Sequence, residues 1–451
     1  MTQHRKILPA SQNIGMVNGF NPADAGELAP EMRDKIDRRM RALGPSYRLF
    51  YRNPVEFSRA EGVMLYDPDG NDYLDAYNNV VGVGHCHPRV VEAVTAQMKT
   101  LCTHTRYVQE GILRYAEDIL PTFGGRIEHI MFTCTGSEAN DLAIRIARHK
   151  TGRQGIIITS EAYHGNSWLT AGFSPSLGER SPLGIWVRRV PTPDSYRMKP
   201  DEMGRWMAEQ VRAQIVELNR HGQGLAAFIT DSLFSSDGIY AQPKTLLAPV
   251  ADIVREAGGL FIADEVQSGF GRSGERLWGY QRHEVEPDIV TMGKPMGNGY
   301  PVAGVALSAD VIREFGNDLR YFNTFGGNSV AIAAAQATFD VIRDEKLMEN
   351  ADRVGGIIQD GIRDIATRHQ SIGDVRGAGL YIGVELVKDR VTKEPDSKTA
   401  LSIVNGLRER RVMISGTGYH SNILKIRPPL VFGEMHADRL LTELEATIRS
   451  V

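Results

Sequence analysis

Cysteine is scarce: there are three in 451 residues, Cys86, Cys102 and Cys134. An odd, low count offers no disulfide framework and suits a reducing compartment. None stands in a C-x-x-C pair. His85, Cys86 and His87 are consecutive, and three neighbouring side chains cannot all converge on one ion without a strained backbone. A packed turn ahead of a helix from Pro88 is expected there, and no metal. Charge of one sign is also lacking. The 52 basic and 55 acidic residues leave a net charge of −3, so no global basic field invites nucleic acid or an anionic membrane. No apolar run approaches the ~18 residues of a membrane-spanning helix. The opening MTQHRKILPASQNIG has no apolar core of a secretory signal. By default these absences point to the cytoplasm. Internal repeats and low-complexity tracts are missing too.

The chain does contain an ordinary globular composition, 42% hydrophobic and 24% charged, at a length that calls for two or three domains. The first ~35 residues are polar and rich in Pro, Gly and Asn, as in a disordered tail or an arm folded over something. MLYDPDGNDYLDA then reads as a hairpin around Asp-Pro-Asp-Gly. In the middle, β-branched runs alternate with helical segments. The runs are HIMFT (129–133), GIIITS (155–160), AAFITD (226–231), GLFIADE (259–265) and DIVTMG (288–293). The helical segments include Glu138–Lys150, Arg205–Arg220 and Leu246–Ala257. This order predicts an α/β protein with a mostly parallel sheet covered on both faces, whose ligands bind at the carboxyl ends of the strands. A helix over VAIAAAQATFDVI leads out of this region. DVRGAGLYIGVELVKD, a strand pair, a further helix and NILKIRPPLVF make a small α+β appendage, with which the early hairpin is expected to pair. The expected division is 1–75 for the arm and part of the small domain, 76–335 for the large domain and 336–451 for the rest of the small one.

Four motifs carry chemistry. In TGSEAND (135–141) a helix begins at Ser137 or Glu138, directly after a strand. Free N–H groups there form a phosphate cradle, Gly136 permits close approach and Ser137 adds a hydroxyl. An ordinary helix cap would look the same. AYHGNS places Tyr163 and His164 after a strand, where an aromatic can stack on a planar ring or simply join the core. Asp264 and Glu265 end the strand GLFIADE, so a carboxylate there needs a cation or hydrogen-bond donors. Lys294 follows a short strand and precedes a Gly-rich loop; desolvated, it becomes a nucleophile able to form an imine. Phosphate turn, aromatic, acid, and then a lysine 30 residues later together supply what pyridoxal 5'-phosphate (PLP) requires: an anchor, a stacking partner, a pyridinium partner and an imine lysine.

GSEAND, AYHG, IADEVQSGFGR, TMGKPMGNGYPVAGV and NTFGGN resemble, in order and spacing, the signatures of the class III aminotransferases of PLP fold type I. The resemblance implies a large domain with a mostly parallel seven-stranded sheet, a small α+β domain built from both chain ends, and a homodimer with shared active sites, alone or as half of a tetramer. It makes Lys294 the imine lysine and proton shuttle, and Asp264 the partner of the pyridine nitrogen. Val266 and Tyr163 would cover the two ring faces. Gln267 would contact the ring oxygen, Gly136 and Ser137 would hold the phosphate, and His164 would stand beside the cofactor. Thr324 would reach the phosphate of the neighbouring subunit's cofactor. Arg427, in LKIRPPL, matches the family arginine that grips a substrate carboxylate. The family usually shields that arginine with Glu-Pro, and here Asp231-Ser232 stands instead.

YNNVVGVGHCHP, HTRYVQ and RYFNTFGGN are similar to the branch of alanine–glyoxylate aminotransferase 2-like proteins, which includes O-phosphoethanolamine phospho-lyases. Both reactions begin with Cα deprotonation by Lys294. A lyase acting on a phosphate ester then needs cations near Cβ, which Arg106 could supply, with Asn78 and Asn79 resembling residues of that branch. Arg106 reads equally as a surface arginine at the start of a helix. The favoured reading is transamination between an amine or amino acid and a keto acid such as pyruvate. Elimination of phosphate or ammonia from a small amino-phosphate stands second. A non-catalytic PLP fold would be expected to lose Lys294, and this chain keeps it.

Overall fold

A computed structural model describes residues 16–451. The reading of the N-terminus as tail or arm therefore lies, for residues 1–15, outside the described residues. Seven strands form the large sheet: β1 (Ile127–Thr133), β2 (Gly155–Thr159), β3 (Val187–Val190), β4 (Leu225–Asp231), β5 (Leu260–Asp264), β6 (Ile289–Met292) and β7 (Ala303–Ser308). Their order is β1-β7-β6-β5-β4-β2-β3. Neighbours from β6 through β3 pair parallel, while β7 runs antiparallel to both β1 and β6. The mostly parallel sheet is thus as expected.

Side chains alternate between two cores, as the strand period of two requires. Phe228, Phe261, Val290 and Ala306 point to one face, against Met203, Met207 and Val250. Ala227, Ile229, Ile262 and Val305 point to the other, against Leu142, Ile144 and Ile146 of helix α1 (Gly136–Thr151). Because both faces are buried, the strands read as continuous apolar runs rather than alternating ones. Element ends differ from the sequence reading where proline decides. The helix read from Arg205 begins at Pro200, and the one read from Leu246 spans Ala248–Glu256 with Pro249 in its first turn. Proline suits the first turn because its missing N–H has no acceptor there anyway.

The early hairpin pairs Met64–Tyr66 with Asp72–Asp75 antiparallel, and Val412–Met413 adds to it parallel. Nearby, Ile372–Ala378, Tyr381–Asp389, Ile423–Ile426 and Ser415–Thr417 form an antiparallel sheet. Buried Asn18 docks on that sheet, accepting from Ser415 Oγ at 3.0 Å. The GVGHCHP turn separates its side chains. His85 meets Asp75 at 2.7 Å, His87 meets Glu345 at 3.1 Å, and a helix follows over Pro88–Thr100. Among the described residues no helix is long and apolar enough to cross a membrane.

Candidate active site

The carboxyl ends of β1, β2, β4, β5 and β6 lie along one edge of the sheet, so the loops after them carry the chemistry-bearing residues into one region. Asp264 ends β5 and is 4% exposed. Its Oδ2 accepts from His164 Nδ1 at 2.6 Å and from Asn140 Nδ2 at 2.9 Å, and its Oδ1 accepts from the Val266 N–H at 3.1 Å. No arginine or lysine pairs with it among the described residues. A buried carboxylate with donors but no fixed cation suits a protonated ring nitrogen.

Helix α1 begins at Gly136 with Thr135 as its cap, the hydroxyl accepting from Glu138 N–H at 3.2 Å. The first N–H groups of a helix have no acceptor within it, and the glycines at and around this turn are closely packed. A Cβ on Gly136 would come within 2.9 Å of two Val266 methyls. One on Gly165 would lie 2.5 Å from Ser137 Oγ, and one on Gly293 3.3 Å from the Gly136 nitrogen. Ser137 Oγ is engaged by the Asn166 N–H at 3.1 Å. This close-packed turn fits a phosphate anchored on backbone N–H groups.

Lys294 follows β6 by two residues and is half-buried. Burial, and after it the Arg427 charge, pull its amine down to about 8, while Asp264 and Asp231 act in the opposite direction. The amine lies 6.0 Å from the centre of the Tyr163 ring. Lys294, Asp264, Val266, Tyr163 and His164 are thus brought together with the α1 turn. These residues fit PLP in anchor, ring acid and lysine.

A second cluster adjoins them. Arg427 is buried, donates its backbone N–H to Ala76 O at 2.9 Å and lies 4.5 Å over the Tyr77 ring. Its Nη1 donates to Gln267 Oε1, which also accepts from Tyr381 OH at 3.2 Å. The Gln267 amide nitrogen takes no part in either bond. Asp231, at the end of β4, does not shield Arg427. Its Oδ1 accepts from Leu233 N–H at 2.8 Å, and burial pushes the carboxyl up to about 6. Ser232 Oγ donates instead to buried Glu265 at 2.5 Å. Asp75 Oδ1 accepts from the Asn78 N–H at 2.9 Å, and buried Asn79 keeps an amide nitrogen without a partner among the described residues.

Arg106 and Thr324 are not brought to Lys294. The expected helix start falls at Glu110, so Arg106 stands in the preceding loop, exposed, with its guanidinium 3.8 Å over the Phe322 ring. Thr324 is exposed two residues beyond Phe322. Both belong to surface loops, and the Thr324 loop packs on the end of β1, where Asn323 Nδ2 donates to Glu138 Oε2 at 3.2 Å.

Three residues of the site escaped the sequence reading. Lys425 is buried on the strand Ile423–Ile426, two positions before Arg427 and therefore on the same side. Its Nζ donates to Ser235 O at 3.1 Å, and burial, followed by the Arg427 charge, drives its pKa well down. The period-two spacing in LKIR was the available signal. Arg272, in GFGRSG, is buried against the carbonyls of Leu380 and Pro428. Asn140, in GSEAND, reaches Asp264 from one turn inside α1. A polar side chain in an otherwise apolar helix face was its only mark.

The sequence pattern of the class III aminotransferases matches residues 50–448, and the chain belongs to this family of PLP-dependent enzymes. Ethanolamine-phosphate phospho-lyase homolog 1 of Caenorhabditis elegans is 38% identical over 96% of this chain and 97% of its own. An alanine–glyoxylate aminotransferase 2-like protein of Drosophila melanogaster is 38% identical over 93% of this chain and 87% of its own. Among solved structures, a phospholyase from Arthrobacter in complex with phosphoethanolamine superposes with a TM-score of 0.90 at 42% identity, covering 93% of this chain and all of that one.

Proposed function

We propose that the protein is a PLP-dependent lyase that eliminates phosphate from a small amino-phosphate such as O-phosphoethanolamine. The observation carrying this reading is that Arg427 has no acidic partner among the described residues and shares its side of the strand with Lys425. An aminotransferase seats two different substrates in turn. A cation that must hold a carboxylate in one half-reaction and tolerate its absence in the other benefits from a retractable counter-ion. Arg427 is held by neutral groups, Gln267, Tyr77 and Tyr381, and Asp231 is engaged elsewhere. Such a permanently unpaired cation suits one substrate that is anionic every time. The phospholyase of similar fold supports the same choice.

PLP, when bound, draws electrons from the amine-bearing carbon and makes its proton acidic. Lys294 anchors the cofactor and, once released, takes that proton, a task for which an amine pulled down to about 8 is suited. Asp264 faces the ring nitrogen. Val266 and Tyr163 flank the ring, and the α1 turn with Gly136 and Ser137 holds the cofactor phosphate. Arg427 and Arg272 set a positive field, and with the Lys425 amine and Asn79 they orient the substrate's phosphate. Phosphate leaves with the Cβ–O electron pair while the pair left on Cα becomes the Cα=Cβ bond, and water then converts the released product to an aldehyde and ammonia. Arg106 and Thr324, exposed in one chain, would complete a neighbouring site in a homodimer. Transamination is the second reading, favoured by the fit of Arg427 to a donor carboxylate.

The test is to incubate the PLP-loaded protein with O-phosphoethanolamine and, separately, with pyruvate and a panel of amines. Inorganic phosphate is expected from the first and no alanine from the second. Alanine formation without phosphate release would replace the lyase by the transaminase.

A further inference from the structure

Behind Asp264 lies a hydrogen-bond chain that no role assigned so far uses. Asn140, Thr291 and Asp264 are 1%, 0% and 4% exposed. Thr291 Oγ1 donates to Asn140 Oδ1 at 2.6 Å. On its other side the Asn140 amide nitrogen donates twice, to Asp264 Oδ2 at 2.9 Å and to the His164 carbonyl at 2.8 Å. This arrangement fixes which way the amide points. Its nitrogen faces two acceptors that have no proton to offer, and its oxygen faces a hydroxyl. Flipping the amide would set oxygen against a carboxylate and a carbonyl in a buried site, where like acceptors repel most.

We infer that Asn140 and Thr291 are positioning residues that lock the orientation of Asp264. The inference rests on the reading that Asp264 faces the cofactor's ring nitrogen. Thr291 lies on β6, three residues before Lys294, and its backbone carbonyl accepts from Glu265 N–H at 2.8 Å. The chain therefore ties the strand that delivers the lysine to the acid that meets the ring. With Oδ2 occupied by Asn140 and His164, and Oδ1 taking only one backbone N–H, the carboxylate keeps a single direction free for a further donor. Pairing of a rigid acid with a ring nitrogen loses strength quickly if the acid can rotate. The Thr291 hydroxyl prevents that rotation from a distance, by denying Asn140 its alternative orientation.

The experiment compares Thr291→Val, which keeps the shape but loses the hydroxyl, with Thr291→Ser, which restores it. Asn140→Ser, too short to reach Asp264, is an independent second variant, and Asp264→Asn tests the underlying reading. Thermal melts establish folding. Readouts are the dissociation constant for PLP, the near-visible band of the bound cofactor across pH, and kcat and KM separately. Thr291→Val and Asn140→Ser are expected to weaken PLP binding and lower kcat by about tenfold, with KM moving about twofold or less. Both should alter the pH response of the band, and Thr291→Ser should return it to that of the native protein. Native behaviour in both Thr291→Val and Asn140→Ser, with Asp264→Asn impaired, would overturn the inference alone. Equal impairment of the Val and Ser variants would also overturn it, since volume rather than the hydroxyl would then matter. An Asp264→Asn variant with native spectrum and affinity would remove the underlying reading itself.

Discussion

At the scale of single residues, environment sets reactivity. Lys294 is an ordinary lysine by composition, yet its amine is pulled from 10.5 down to about 8 by burial and by Arg427. On the proposed reading the neutral amine forms the bond to PLP. The rate of PLP capture by the apoprotein should therefore rise with pH and level off above about 8, and stopped-flow absorbance checks this. Lys294→Ala should leave no cofactor that borohydride can trap. The linkage has a definite sign. Between about 8 and 10.5 the unfolded chain holds the proton that the folded chain has lost, so apoprotein stability gains from this group as pH rises through that window, and its penalty is complete below it. Lys425 makes a second residue-scale case. Thr417 Oγ1 also donates to the Ser235 carbonyl at 3.1 Å, so Lys425→Met leaves that acceptor satisfied. The urea midpoint should move little, because a buried amine gives way to an apolar chain of similar length. KM for a phosphate-bearing amine should rise about tenfold, with no change for an amine lacking phosphate.

At the scale of elements, the start of α1 does two jobs with the same atoms. Thr135 caps the helix through Glu138 N–H, and Glu138 reaches back to accept from Cys134 N–H at 2.8 Å. This reciprocal arrangement fixes the turn that presents free N–H groups to an anion. Thr135→Ala should cost about 1 kcal/mol in urea unfolding of the apoprotein, and PLP affinity should fall with it. Gly136→Ala acts differently. The added Cβ would stand 2.9 Å from both Val266 methyls, displacing the side chain proposed to cover one ring face. PLP affinity should fall more steeply than stability, as a titration of the apoprotein beside a thermal melt would reveal. On the strand side, Lys425 and Arg427 are delivered by one short strand whose neighbour supplies Tyr381. Its register decides which side chains enter the site, and a one-residue slip would exchange Lys425 and Arg427 for Leu424 and Ile426.

At the scale of the whole molecule, a chain of charges joins distant segments. Asp194 meets Arg197 at 2.8 Å, Arg197 meets Glu385 at 2.7 Å, and Glu385 meets Arg376 at 2.8 Å. Arg376 continues to the Gly238 and Ile239 carbonyls. It thus clamps the C-terminal sheet to the loop after β4 that carries Ser235. Removing one member of a buried pair is more costly than the pair is worth. Arg376→Leu should lower unfolding free energy by about 3–5 kcal/mol, measurable in a urea melt. Much of this architecture was legible in the amino-acid sequence. Short β-branched runs alternating with helices specified a parallel sheet, because period and burial are local properties. The order of Gly136, Tyr163, Asp264 and Lys294 pointed to the cofactor, because each sits at a strand end that such a sheet brings together. Other features were decided only by tertiary structure. Arg427 pairs with Gln267 rather than with Asp231, Arg106 lies at the surface, and Lys425 and Asn140 enter the site. Whether a polar side chain finds a carboxylate, a neutral amide or water depends on which strands become neighbours. Asn140 and Asp264 are 124 residues apart, and no local pattern encodes a hydrogen bond across that distance. The sequence by itself determined the fold and the cofactor, whereas burial and long-range pairing decided the charge state and partners of the groups around the substrate.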